Sequence, residues 1–176
     1  MSTNRPLRKI TRADLDSTYS QIDTLYGAYE CACQKNPAYC DIHWFFFEDP
    51  GYQLLTKSQQ TLNNLITFDG QVKHGGLRSF FYNLAYGMDH FASSVRDFGW
   101  PPLSDRFYPK FEEVFQISAG DYLPPVAAER IHDLYYEFDF DDFDRWWCSN
   151  ETQVQAGRYA ASFVKLRQTD LFEIVS

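Results

Sequence analysis

The chain has 176 residues, 16 Lys+Arg against 24 Asp+Glu, and a formal charge of −8. That length suits one domain, residues 1–176, able to bury about 70% of its unfolded surface without a metal or disulfide staple. Sixteen Phe, 12 Tyr and 4 Trp exclude a disordered chain. The acidic balance argues against direct nucleic-acid binding, which needs clustered Lys and Arg, and suits a basic protein partner.

Residues 1–10 read as a short basic arm carrying Arg5, Arg8 and Lys9. No apolar core follows it, as a secretory leader would need. The densest apolar run, Trp44 to Phe47, is far short of a membrane helix of about 20 residues. The expectation is a cytoplasmic protein without membrane contact.

Thr11-x-x-Asp14 resembles a capping box, with Ile10 and Leu15 placed as a hydrophobic staple. Leu15, Tyr19, Ile22, Tyr26 and Tyr29 then predict one helix ending near Asn36-Pro37. Cys31, Cys33, Cys40 and His43 are four zinc-type ligands, but a single residue separates the first two, fewer than zinc sites use. Buried thiols, with no metal and no cofactor, are expected. Asp49-Pro50-Gly51 reads as a turn.

Thr56-x-x-Gln59 is a second capping box, opening a helix buried through Leu62, Leu65, Ile66 and Val72 and stopped at Gly75-Gly76. Leu77, Phe80, Phe81 and Leu84 start a new apolar face; after Gly87 it continues in Met88, Phe91, Val95 and Phe98, with Gly99 as the cap. Trp100-Pro101-Pro102 reads as a loop. Phe107, Phe111, Val114 and Phe115 suggest a short helix interrupted by Pro109. Gly120 to Pro125 is a break, Val126 to Phe138 marks a helix entering an acidic segment, and Tyr159, Phe163, Val164 and Leu166 mark the last one. The sum is an all-α fold: one compact multi-helix domain, antiparallel helices around an aromatic-rich core.

The charge is local. Residues 129–151 hold eight acids (Glu129, Asp133, Glu137, Asp139, Asp141, Asp142, Asp144, Glu151) against Arg130 and Arg145, a net −6. On a continuous helix Asp133, Glu137, Asp141 and Asp144 fall within about 80° of arc over roughly 16 Å. A groove built for phosphates, spaced about 3.4 Å along one DNA strand, could accept such a row. Against this stands the ordinary solvated face, since like charges at i, i+4 cost only about 0.2–0.5 kcal/mol per pair.

The stretch from Phe68 to Asn83 resembles the central motif of the DNA-mimic-type helical family. Asp69, Gly75, Gly76, Phe80, Phe81, Asn83 and Gly87 fit its pattern; Gln71, His74, Leu77 and Ser79 depart from it. The resemblance is strongest over residues 54–100. It implies an all-α fold and a protein that imitates the DNA backbone on the DNA-binding face of a regulator. The motif residues themselves read as structural: the paired glycines permit a tight helix corner, and Asp69 and Asn83 are placed to cap backbone groups there.

No Gly-x-Ser-x-Gly, His-Glu-x-x-His, phosphate loop or Cys-x-x-Cys is present. Glu129-x-x-His132 is half of a di-iron motif without its second copy. His43, His74, His90 and His132 are scattered. The expectation is a non-enzymatic acidic protein that binds a basic partner through Asp133, Glu137, Asp139, Asp141, Asp142 and Asp144, that partner being a DNA-binding regulator. An immunity-type inhibitor of a toxin or nuclease uses the same physics. A small-ligand binder or enzyme built around Trp44, His74 and Trp100 is the remaining alternative, and exposed aromatics also suit a homodimer face.

Overall fold

The computed structural model describes residues 7–33, 50–117 and 137–175. The readings made on Asn36-Pro37, Cys40, His43, Trp44, Gly120–Pro125, Glu129, His132 and Asp133 lie outside them. The described residues form nine α-helices and one two-stranded sheet, an all-α fold with buried aromatic side chains. The chain divides into two compact units, Met1–Ile66 with Gln153–Ser176, and Thr67–Thr152. Both boundaries fall inside helices, so no linker composition marks them.

In the first unit, Arg8–Thr11 (β1) pairs in parallel with Phe172–Val175 (β2), Ile10 opposite Ile174. Part of the expected basic arm is therefore strand. Thr11 closes β1 and caps α1 (Arg12–Tyr19): its Oγ1 accepts the Asp14 amide at 3.2 Å. The expected single helix then breaks. Thr24 Oγ1 accepts the Gly27 amide at 2.9 Å and starts α2 (Leu25–Cys33), a cap the apolar stripe overrode in the sequence reading. Leu15 and Ile22 are buried, Tyr19 and Tyr29 are half-buried, and Tyr26 faces solvent. Pro50 opens α3 (Pro50–Leu54) where a turn was expected, because proline suits a first helical turn.

α4 (Lys57–Leu84) begins with the predicted box in full. Gln59 N–H donates to Thr56 Oγ1 at 3.2 Å, and Thr56 N–H to Gln59 Oε1 at 2.9 Å. Asp170 Oδ2 takes a further orphan donor, the Ser58 amide, at 3.1 Å. Tyr52 Oη accepts from Asn64 Nδ2 at 2.8 Å, and burial pushes its hydroxyl up to about 12. α8 (Asn150–Leu166) and the short helix Gln168–Leu171 (α9) lead into β2. Phe163 and Val164 are buried as expected, but Leu166 is 82% exposed at the helix end.

In the second unit α4 turns at Gly76, whose φ of 75° and ψ of 174° leave the helical basin, so the paired glycines do break it. A 3₁₀ turn, Ala85–Gly87, leads into α5 (Met88–Phe98), capped by left-handed Gly99 at φ 69°. α6 (Pro101–Phe115) starts on the two prolines read as loop, which occupy its first turn, and runs on through Pro109. The interior proline costs about 3 kcal/mol. Buried Phe107, Phe111, Val114 and Phe115 on the same helix offset it, each side chain contributing roughly 1.5–3 kcal/mol. α7 (Asp141–Trp147) completes the unit. Phe80, Phe91, Phe107, Phe143 and Trp147 surround the Phe68 ring with centroids 4.8–6.3 Å away, mostly edge-to-face.

Candidate functional site

Two features that are far apart in the sequence meet in Thr67–Thr152. The glycine motif is what holds the acidic segment. Asp144 Oδ1 accepts the Leu77 amide at 2.7 Å, supplying the N-terminal cap that the helix needs after its break at Gly76. Gly76 leaves room for this, since a Cβ there would land on Asp144 Oδ2. Buried Asp69 accepts Trp147 Nε1–H at 3.0 Å and pairs with Lys73 at 2.7 Å. Arg78 donates to the Phe138 carbonyl.

The motif residues are thus structural, but not as expected. Asp69 bonds the side chains of Trp147 and Lys73 and, among the described residues, no backbone group, and Asn83 Nδ2 donates to Gln71 Oε1 at 2.8 Å. The group that caps the corner is Asp144, assigned in the sequence to the partner-binding row. Phe80 and Phe81 are fully buried.

The row of acids is reshaped accordingly. Residues 138–140 are not helical and Glu137 lies in a turn, so Glu137 is not on one helix face with Asp141 and Asp144. Asp144 turns inward and is half-buried; its carboxyl is raised above the ordinary value, chiefly by desolvation, against the opposing Leu77 amide. Glu137, Asp139, Asp141 and Asp142 remain exposed. Asp142 pairs with Arg145 on the same helix. Asp139 Oδ1 accepts the Asp141 amide at 2.9 Å, and Lys110 reaches Asp139 through its backbone carbonyl at 3.3 Å. No described cation forms an ion pair with the side chains of Glu137, Asp139 or Asp141.

Beneath these carboxylates the aromatic side chains are fixed. Phe140, Phe143 and Trp147 are buried. Arg106 lies 4.7 Å over the half-buried Trp146 ring, and Lys110, one turn along α6, lies 5.7 Å over Phe140. Sequence reading missed Arg78, Arg106 and Lys110, because nothing local couples residue 78 to residue 138 or α6 to α7.

The segregation of charge is sharper than the segment alone showed. Thr67–Thr152 holds 15 acids and seven bases, net −8, while the other unit holds nine of each. Cys31 is buried, and burial raises its thiol. His74 is exposed and contacts the Gly70 carbonyl through Nδ1 at 2.7 Å. Among the described residues no group of three His, Cys, Asp or Glu is gathered as metal ligands, and no helix is long and apolar enough to cross a membrane.

No family model, curated protein or solved structure matches the chain.

Proposed function

We propose that this chain is a non-catalytic binding protein whose acidic unit occupies the basic, nucleic-acid-binding face of a protein partner in the manner of a DNA mimic. The observation that carries the reading is the trio Glu137, Asp139 and Asp141: exposed, without ion pairs to described cations, on a segment anchored by buried rings and by Asp144. Fixed charge on a preformed backbone steers encounter and loses little entropy on binding. Confinement of the net charge to Thr67–Thr152 puts these carboxylates on the net-negative unit. The resemblance over Phe68–Asn83 points the same way, since that motif is what holds the trio's segment in place.

The test is capture from the native host with the wild-type chain and with Glu137→Gln/Asp139→Asn/Asp141→Asn. Asn at 139 keeps an acceptor for the Asp141 amide. The wild type should retain a basic protein that duplex DNA displaces, and the triple variant should not. Retention that is indifferent to both DNA and the substitutions would reject the proposal. A captured nuclease, in place of a transcriptional regulator, would make the protein an immunity-type inhibitor.

A further inference from the structure

Two consecutive residues of α4 hold the acidic segment at two points. The Leu77 amide donates to Asp144 Oδ1 at 2.7 Å, and the Arg78 guanidinium donates to the Phe138 carbonyl. Asp139 and Asp141 lie between those points, and Glu137 lies one residue outside them. Further contacts restrain the same stretch. Lys110 Nζ donates to the Asp139 carbonyl at 3.3 Å, the Asp141 amide donates to Asp139 Oδ1 at 2.9 Å, and the Phe138 and Phe140 rings stack with centroids 6.1 Å apart. We infer that Arg78 is a positioning residue for the acidic face, and that this face is matched to a folded basic surface with its cations at fixed spacing and not to a flexible basic tail. The inference rests on the DNA-mimic reading and names the kind of partner that reading requires.

The two kinds of partner use different properties of the face. A flexible tail of Lys and Arg arranges itself around any concentration of negative charge, so it responds to net charge. A folded surface cannot rearrange, so it gains only where carboxylates already sit opposite its cations. Holding the backbone at residues 138 and 144 adds nothing for the tail and lowers the ordering cost for the folded surface. Arg78 separates the two cases. As a charge it opposes the attraction of Thr67–Thr152 for any basic ligand; as a donor to Phe138 it fixes the backbone between Glu137 and Asp139.

Arg78→Met keeps the trio and takes Thr67–Thr152 from −8 to −9, with 15 acids against six bases. Net charge alone then predicts tighter binding of every basic ligand, whereas positioning predicts weaker binding of a folded one. In the free chain, hydrogen exchange at the Asp141 amide should accelerate at least about tenfold, while the Gly99 amide, bonded to the Val95 carbonyl in the same unit, keeps its wild-type rate. A nona-arginine peptide, the flexible probe, should bind the variant at least as tightly as wild type. The protein that wild type retains from the native host should bind the variant at least about tenfold more weakly. Arg78→Lys keeps the charge without the planar fork, so it should weaken that protein and leave the peptide unchanged. It carries the test by itself if Arg78→Met does not fold. A wild-type exchange rate at Asp141 in both variants, a retained protein whose affinity follows the peptide's, or one that binds through a disordered basic tail would overturn the inference and leave the acidic face standing. A wild type that retains no basic protein would overturn both.

Discussion

Asp144 shows how one side chain can be assigned by spacing and claimed by something else. Helical periodicity puts it on a face with Asp141, yet its carboxylate serves an amide 67 positions away, at Leu77. Only the absence of a Cβ at Gly76 makes that approach feasible, and no local pattern announces it. Asp144→Ala should destabilise the chain by about 1–3 kcal/mol in denaturant unfolding, because it orphans the Leu77 donor. Asp144→Asn keeps an acceptor and should be tolerated. The carboxyl is raised in the folded state, mainly by desolvation, with Asp141 and Asp139 adding to the rise and the Leu77 amide and Arg78 opposing it. A raised acid binds its proton more tightly when folded. Its contribution is therefore most favourable below the ordinary carboxylate value and is lost as pH rises through the raised one. Wild-type stability should fall across that window relative to Asp144→Asn, measured as the difference between their unfolding midpoints at acidic and neutral pH. A difference that grows in the opposite direction would mean that the Leu77 bond outweighs desolvation. Gly76→Ala forces a side chain onto φ 75°, and both the strain of about 1–3 kcal/mol and the displaced Asp144 should appear in the same assay.

At the scale of elements, the two capping boxes were legible and helix continuity was not. The box at Thr56 forms as read, and Thr11 caps the Asp14 amide as read, because both partners lie within three residues. Leu62, Leu65, Phe80, Phe91 and Phe111 are buried because period and burial are the same signal. The break between α1 and α2 was hidden, since Thr24 begins a new helix within a stripe that reads as continuous. Part of its reason lies on α8. A Cβ at Gly157 would strike the Asp23 carbonyl and lie 2.8 Å from Thr24 Cα, so this glycine admits the backbone of the turn. Gly157→Ala should cost about 1–3 kcal/mol as overpacking, although alanine is the better helix former. A Gly157→Ala chain as stable as wild type would show that the turn moves away freely. Thr56→Ala, by comparison, should cost about 1 kcal/mol, the ordinary value of a lost cap.

For the whole molecule, sequence arithmetic located the acid without locating its boundary. The segment 129–151 accounts for −6, and the chain's −8 coincides with the whole of Thr67–Thr152, a span defined only once the fold is known. The trio Glu137, Asp139 and Asp141 was legible as acid; its exposure, and the loss of Asp144 from it, depended on tertiary bonds. A net negative charge has two consequences that salt moves in opposite directions. Self-repulsion opposes the compact state, so screening should stabilise the free protein. Attraction to a basic partner is screened as well, so binding should weaken. Between about 10 mM and about 150 mM salt the screening length falls from about 30 Å to about 8 Å. Over that range the unfolding midpoint of the wild type should rise while capture of the partner declines. Glu137→Gln/Asp139→Asn/Asp141→Asn should flatten the midpoint's dependence on salt without lowering stability at low salt, because it removes three charges that no described cation balances. A wild-type midpoint that does not respond to salt, or a triple variant that responds as strongly, would mean that these carboxylates do not act as one field, and a phosphate-imitating surface would lose its physical basis.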